Sequence, residues 1–333
     1  LKCKFDVLII CPKGFLSEKI KNSRIDIIER KINFRNIFKI HKIFKRELKK
    51  YKELSVNSHL LGTSLVTTLA LLFLKKVRFV TTFHNPIYYN GMGVLKKTIY
   101  PLFYKIIAKR SQEIIAVSSQ ISSSIERVTR HSCKYIPTSI PKSIYQKDVN
   151  GFSTNKKQIK IGQVGRIVAE KNPICYVNAA KLIKNSMPNT IFYFIGDGNQ
   201  RKNVENYIEQ IGLKDSFIFT GFIDNPTEIM NDLDILIISS NIEGTPLVLL
   251  EAMSIGLPVI STNVGEISNI IDNEKNGYLV SKGDSENIAR VVINLLRNSK
   301  KYIETSKNEV MKMNELYNYE KNLQKHIDII CGD

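Results

Sequence analysis

Short β-rich runs alternate with helical patterns along nearly all of the 333 residues, and this alternation limits the fold more than any other feature. Strand patterns lie at Phe5–Ile10, Ser55–His59, Arg78–Phe83, Glu113–Val117 and Lys134–Pro137 in the first half. In the second half they lie at Gln158–Gly165, Thr190–Gly196, Ser216–Thr220, Leu233–Ser239, Pro258–Thr262 and Gly277–Val280. Helical patterns separate them, as at Asn172–Asn185, Arg201–Ile211 and Pro246–Ile255. Such alternation makes parallel sheets covered by helices on both faces. Two groups of strands predict two such sheets in an α/β chain. The polar, turn-rich N-G-F-S-T-N-K-K (Asn150–Lys157) marks a linker between them. The domains expected are therefore 1–150 and 151–303. A helical segment over 304–333, strongest at about Glu304–Ile330, follows without another strand.

Charge divides at the same place. Of the net +18, residues 1–150 hold 29 Lys and Arg against nine Asp and Glu, a net of +20, and the remainder carries −2. A basic half joined to a near-neutral half fits two domains with different partners, and it argues against a uniformly basic nucleic-acid coat. Hydrophobic residues at 43% and charged ones at 24% exclude disorder and collagen-like repeats. The five cysteines (Cys3, Cys11, Cys133, Cys175, Cys331) form no C-x-x-C pair and are widely spaced. That disfavours a disulfide framework or zinc site and fits a reducing cytoplasm. The longest apolar stretch, Leu65–Leu74, is too short to span a bilayer, and no signal peptide pattern is present.

The chemistry concentrates in E-G-T-P-L-V-L-L-E (Glu243–Glu251), directly after the apolar strand Asp234–Ser239. Thr245 reads as an N-cap and Pro246 as the first helical residue. A helix starting at the carboxyl end of a parallel strand sits where ligands bind in open sheets. Its free N–H groups and dipole would face an anion, most simply a phosphate. Glu243 lies in the loop ahead, and Glu251 lies one turn beyond Leu247. Carboxylates beside a phosphate are repelled by it, so both are expected to accept hydrogen bonds from hydroxyls such as those of a sugar and a ribose.

Over residues 160–280 the chain resembles the donor-binding domain of the retaining glycosyltransferases of family 4. Four blocks match in order: G-R-I-V-A-E-K-N (Gly165–Asn172), F-I-G-D-G (Phe194–Gly198), F-T-G-F (Phe219–Phe222) and E-G-T-P-L-V-L-L-E-A-M-S-I-G-L-P-V-I (Glu243–Ile260). The resemblance implies the GT-B fold, with two Rossmann-like, doubly wound domains facing a cleft. It also implies transfer of a sugar from a nucleotide-sugar, most commonly a UDP-sugar, with retention at the anomeric carbon. The acceptor implied is a saccharide or a lipid-linked one in bacterial surface polysaccharide or lipopolysaccharide assembly. By resemblance Arg166 and Lys171 hold the donor diphosphate. Glu251 binds the ribose, and Glu243 contacts the sugar. Gly244, Thr245, Pro246 and Leu247 line the sugar and phosphate site. Phe222 and Ile223 lie where the family places the base. Two cations suit a leaving diphosphate that gains charge as the bond breaks, and Gly196 and Gly198 let the chain pass close to a ligand. Asp197 is either a ligand contact or a turn former.

The first half matches more loosely. In T-T-F-H-N-P (Thr81–Pro86), His84 sits where the family has a donor-sugar contact; the alternative is a loop histidine bonded to backbone. I-I-A-V-S (Ile114–Ser118) matches a strand before a helix, with Ser118 or Ser119 as cap. His59 ends another strand and reads as a packed loop residue or a border of the acceptor cleft. Ile37–Leu54 is a basic amphipathic pattern. Its stripe of Ile37, Ile40, Phe44, Leu48 and Tyr51 reads as packing on its own sheet. Its basic face would draw the domain towards an anionic membrane surface, each lysine there being worth about 1 kcal/mol.

Competing signals are weak. Asp232-Leu233-Asp234 spells D-x-D, but it precedes its apolar run instead of following it, so these aspartates read as structural and no catalytic metal or other cofactor is expected. No G-x-G-x-x-G follows the first strand, and no Walker loop or G-x-S-x-G occurs. No nucleic-acid motif accompanies the basic residues. The competing functional reading is a non-catalytic nucleotide- or partner-binding protein of the same fold. It draws on one departure: the strand, glycine-rich loop and helix that open family members are missing ahead of Phe5–Ile10, and the chain begins with Leu1. A truncated chain with two bare strand edges, poorly stable or inactive, is the expectation from that departure.

Overall fold

The computed structural model describes residues 6–14, 18, 25–85, 87–88, 92–140 and 157–332. Phe5, Pro86 and the linker over 150–156 lie outside the described residues. The chain divides into two compact units, Leu1–Pro137 with Leu323–Asp333, and Thr138–Asn322. No helix among the described residues is long and apolar enough to cross a membrane.

The first unit runs β1 (Leu8–Cys11), β2 (Asp26–Glu29), α1 (Ile37–Lys50), β3 (Leu54–His59), α2 (Leu61–Ala70), β4 (Val77–Phe83), α3 (Val94–Arg110), β5 (Glu113–Ala116), α4 (Ser119–Thr129) and β6 (Lys134–Tyr135). Strands β3 to β6 form a parallel four-stranded sheet in that order, and β1 pairs with β2 in a separate parallel ribbon. Strand β2 has only Ile27 and Ile28 between charged ends, too short a run to read as a strand. One face of the larger sheet carries Val77, Phe79, Phe83, Ile114 and Ala116 against the helices; Val80 and Ile115 point the other way. The apolar stripe of α1 behaves as its periodicity requires: Ile40 and Phe44 are buried, and Ile37 and Leu48 pack on the same core. The helix stops at Lys50, short of Leu54, because the chain turns extended at Tyr51 to enter β3. Ser118 Oγ caps α4, accepting the Ile121 N–H at 3.2 Å.

The second unit holds β7 (Ile159–Val164), α5 (Pro173–Ser186), β8 (Thr190–Ile195), α6 (Arg201–Gln210), β9 (Phe217–Gly221), α7 (Pro226–Asp232), β10 (Ile235–Ile238), α8 (Leu247–Ile255), β11 (Val259–Thr262), α9 (Ile267–Ile270), β12 (Tyr278–Val280), α10 (Ser285–Leu296) and α11 (Ser299–Leu316). Its parallel sheet has the order β12-β11-β10-β7-β8-β9. Both faces are covered, which explains the continuous Ile, Leu and Phe runs. Ile161, Phe192, Phe194, Ile235, Ile237 and Ile260 meet the core of α5 and α10, while Leu236, Ile238 and Val259 meet that of α8. A Cβ on Gly162 would overlap the end of the Leu233 side chain, which would have to shift.

Asp234 is structural, as its position before the strand indicates. Its Oδ2 accepts the Lys160 N–H at 2.8 Å and its carbonyl accepts the Tyr302 hydroxyl at 2.8 Å. The C-terminal segment departs from the single helix expected over Glu304–Ile330. Asn298 caps α11 from Ser299, and the helix ends at Leu316 before α12 (Tyr319–Cys331), whose last turns pack Ile329 and Ile330 against Val80, Ile115 and Ile136 of the first unit.

Candidate active site

The strand order of the second unit carries a functional consequence. From β7 the chain moves outward through β8 and β9, then returns to the other side of β7 through β10, β11 and β12. The order reverses between β7 and β10, and the crevice beyond the carboxyl ends of such a strand pair is where open α/β sheets bind ligands. The loops leaving β7 and β10 contain Arg166, Lys171, Glu243 and Gly244.

The β7 loop is shaped by its glycines and by Asn172. Gly165 (φ +128°) makes the turn, and its N–H donates to the Ile195 carbonyl at 2.9 Å. A Cβ on Gly196 would overlap the Gly165 carbonyl, and one on Gly198 the Ile167 carbonyl, so the β7 and β8 loops touch backbone to backbone. Asn172 adopts a left-handed conformation (φ +46°) and its Oδ1 caps α5 ahead of Pro173. Arg166 projects exposed from this loop.

Lys171 turns towards the β10 loop. Its Nζ donates to Glu243 Oε1 at 2.5 Å, and the Ser240 hydroxyl donates to the same oxygen at 2.6 Å. The Glu243 side chain is 8% exposed and that of Lys171 24%, so the pair is shielded but reachable. Both donors use the same oxygen, Oε1. A polar layer fixes the loops from behind. Gln163 Nε2 donates to the Lys171 carbonyl (3.1 Å) and to Ser239 Oγ (3.0 Å), the Asn241 N–H donates to the Glu170 carbonyl (2.8 Å), and Thr262 Oγ1 donates to the Ser240 carbonyl (2.6 Å).

Helix α8 begins one residue later than the sequence implies. Pro246 is the N-cap, in an extended conformation (φ −72°, ψ 118°), and α8 starts at Leu247; Thr245 is not the cap, and Pro246 makes no side-chain cap bond. Proline has no side-chain acceptor, so the first N–H groups of α8 stay uncapped by a side chain at the switch point. Glu251, in the second turn, is half-buried, and burial holds its carboxyl above the usual carboxylate range. Asp197 spends its carboxylate locally, accepting the Gly198 N–H (2.7 Å) and Arg201 (3.0 Å); these bonds hold its pKa below the usual range. That is the turn-forming alternative. Phe222 is 76% exposed, less than Phe38 (82%) and Phe73 (87%), while Ile223 leans on the α8 core.

Within this unit the structure therefore brings Lys171 and Glu243 into contact, puts Arg166, Gly244 and the α8 N-terminus on the loops around them, and leaves Phe222 on the β9 loop. His84 belongs to the first unit. It follows β4, and its Nε2 lies 2.9 Å from Nδ1 of His59, at the end of the neighbouring β3. Its partner is thus a ring, not the backbone. Sequence reasoning missed Ser240, Asn241 and Gly265. Gly265 (φ +57°) lies against the Glu243 carbonyl, where a Cβ would overlap, and Glu266 N–H donates to the Gly244 carbonyl at 3.3 Å. The only sequence signal was a glycine following the apolar run Val259–Thr262. Among the described residues no group of His, Cys, Asp and Glu could hold a metal ion.

Comparison with known proteins agrees with this architecture. The family model described as glycosyl transferases group 1 matches residues 145–310, and that described as Glycosyltransferase Family 4 matches residues 3–143. The chain is 23% identical over 312 residues to the UDP-Gal:alpha-D-GlcNAc-diphosphoundecaprenol alpha-1,3-galactosyltransferase of Escherichia coli, covering 87% of this chain and 80% of that protein. It is 23% identical over 240 residues to the Escherichia coli O-antigen biosynthesis glycosyltransferase WclY, covering 68% and 65%. Four other curated relatives are matched over only 27% to 36% of their own length. Among solved structures, Anabaena Alr3699/HepE in complex with UDP superposes with a TM-score of 0.81 at 14% identity, over 99% of this chain and 100% of that one. A glycosyltransferase from Rickettsia africae superposes with a TM-score of 0.80 at 18% identity, over 97% and 89%. Two parallel-sheet units, the loops at the switch point and these matches together place the chain in the group 1, family-4-like glycosyltransferases of the GT-B fold.

Proposed function

We propose that this chain moves a sugar from a nucleotide-sugar, with UDP as the carrier, to a hydroxyl of a saccharide or lipid-linked acceptor, retaining the anomeric configuration. The reading rests on one observation above the others: Lys171 and Glu243 meet at the point where the strand order reverses, beside the uncapped start of α8. A cation and free N–H groups suit a diphosphate; a shielded carboxylate suits sugar hydroxyls. Arg166 adds a second cation, Glu251 accepts from the ribose, and the exposed Phe222 with Ile223 receives the base. Gly196 and Asp197 form the turn beside them. Gly244, Thr245, Pro246 and Leu247 line the sugar and phosphate. His84 contributes a contact to the sugar.

In the reaction the bond from the anomeric carbon to the diphosphate oxygen breaks and a bond to the acceptor oxygen forms on the same face. The acceptor proton passes to the departing phosphate oxygen, so no covalent intermediate on Glu243 is needed. Arg166, Lys171 and the α8 amides offset the charge that gathers on the diphosphate, and the proposal includes no resident metal. The acceptor class follows the names of the Escherichia coli relatives, and UDP those of the Anabaena complexes. The basic face of α1 is proposed to hold the protein at the anionic cytoplasmic surface of a membrane, near a lipid-linked acceptor.

A thermal-shift screen with UDP, GDP and ADP and their sugars, followed by nucleotide release from the sugars that bind, tests the reading. UDP and a UDP-sugar are expected to raise the melting temperature, because a ligand at 100 times its Kd adds about 2.7 kcal/mol to the native state. Binding without release in the presence of acceptors would leave a nucleotide-binding protein; no shift with any nucleotide would remove the donor site.

A further inference from the structure

The first unit contains a line of side chains that runs from Thr82 to His84. The Thr82 hydroxyl donates to Asn57 Oδ1 at 3.0 Å, Asn57 Nδ2 lies 3.3 Å from His59 Nε2, and His59 Nδ1 lies 2.9 Å from His84 Nε2. Strands β3 and β4 build it, since Asn57 and His59 sit on the same side of β3 and His59 is in register with Thr82. The two imidazoles are tilted at 33° with centroids 5.2 Å apart.

The chemistry of the groups gives this line a direction. An amide oxygen only accepts and an amide nitrogen only donates. The Thr82 hydroxyl can donate or accept, so the direction is set by the orientation of the Asn57 amide: its oxygen faces Thr82 Oγ1 and its nitrogen faces His59, donating to Nε2. That nitrogen must then be unprotonated. A neutral imidazole carries one proton, so His59 holds it on Nδ1 and donates it to Nε2 of His84. His84 in turn must carry its own proton on Nδ1. We propose that His59, oriented by Asn57 and Thr82, is a positioning residue that fixes the proton of His84 on Nδ1.

Neutrality of the pair has its own support. His59 and His84 keep much of their surface in solvent, and an ordinary imidazole is already mostly neutral at pH 7. Partial burial, with His84 and His326 beside it, lowers His59 further, and partial burial lowers His84 and His326 as well. His326, on α12, is the other titratable group acting on the pair. All three are uncharged near neutral pH, where two neutral rings can bond only if one donates and the other accepts. The result is a histidine that presents a single N–H donor, on the nitrogen opposite to the one a free histidine side chain prefers. A hydroxyl or phosphate oxygen could accept from it, and a cation would be turned away. This use of His84 rests on the proposed function; the proton placement does not.

The test is a long-range ¹H–¹⁵N correlation spectrum of the full chain labelled at histidine, at pH 7. The single variants His41→Gln, His131→Gln and His326→Gln identify three of the five histidines, leaving His59 and His84. Both are expected to show a protonated Nδ1 and a bare Nε2. A protonated Nε2 on either ring, or averaging between the two forms, overturns the proposal. In Asn57→Leu the ordering is expected to relax into averaged signals, with kcat for donor turnover falling about tenfold, the scale of one hydrogen bond, and KM moving less. Unchanged tautomers in this variant also overturn the proposal. Relaxed tautomers with unchanged kcat support the proton placement and remove His84 from the reaction instead.

Discussion

The contact between Lys171 and Glu243 joins two residues that the family resemblance assigns to different parts of a donor. A shielded ion pair with a serine on the same oxygen keeps each side chain in one rotamer before ligand arrives, and such preorganisation is what electrostatic catalysis requires. Replacing Glu243, Lys171 or Arg166 by alanine is expected to cut the transfer rate at least about a hundredfold in steady-state kinetics; wild-type rates in all three would dismiss the site. Lys171→Ala also leaves a mostly buried carboxylate without its cation, which is expected to lower stability by about 1–3 kcal/mol in urea unfolding. Gly265 is a sharper probe, because it touches no ligand atom in the proposal. Its positive φ and its fit against the Glu243 carbonyl both exclude a side chain. Gly265→Ala is expected to cost about 1–3 kcal/mol and to weaken UDP binding by moving the Glu243 loop; unaltered UDP affinity would show that the loop is not held from this side. Lys171, Glu243 and Arg166 were singled out in the sequence by motifs that resemble the family's, and the structure sets Lys171 against Glu243 and leaves Arg166 exposed on the β7 loop. Gly265, Ser240 and Asn241 were not singled out, because their roles lie in contacts with residues about 20 or more positions away or in a side-chain bond that has no pattern.

Helix α11 ties together the starts of β10 and β11, two interior strands of the second unit's sheet. Tyr302 donates to the Asp234 carbonyl, Ser306 to the Gly256 carbonyl, and Glu309 Oε1 accepts the Val259 N–H at 3.0 Å. The spacings of four and three put these groups on one helical face. Glu309 is fully buried, its Oε2 has no partner, and burial raises its pKa well above the usual carboxylate range. The native state then holds a proton that the unfolded chain releases at about pH 4.3. Stability from this group is complete below that pH and declines as pH rises towards the folded-state value. Glu309→Gln keeps an acceptor for Val259 without ionising. Its melting temperature is expected to equal or exceed wild type at pH 8, with a flatter profile between pH 5 and 8; a steeper loss than wild type at pH 8 would assign the site to a charged glutamate. None of this was readable beforehand, since E-T-S-K-N-E looks like an ordinary solvated stretch and only the folded chain puts it under a sheet.

At the scale of the molecule the two units differ in how their sheets close. The second has six strands in one sheet with core on both faces; the first has four strands and a separate two-stranded ribbon whose residues are mostly half-exposed. Two strands with little buried surface are marginal by themselves. Amides of Leu8–Cys11 and Asp26–Glu29 are therefore expected to exchange with solvent through local opening well before those of Ile159–Val164, which open only near the global unfolding free energy. Equal protection in a hydrogen-exchange measurement would mean that the ribbon is part of the main cooperative unit. The sequence by itself determined the α/β class and most of the strand and helix order, and it marked the loops after β7 and β10, because periodicity, proline and glycine act over a few residues and leave local marks. Ser118 capping α4 and Asn172 ahead of Pro173 are such marks. Only the tertiary structure decided that β7 lies beside β10, that Lys171 meets Glu243, that His59 bonds to His84, and that the chain's last turns return to the first unit. Those facts depend on which strands become neighbours, and strand order is set by the packing of whole helices on both faces of a sheet rather than by any short run of residues.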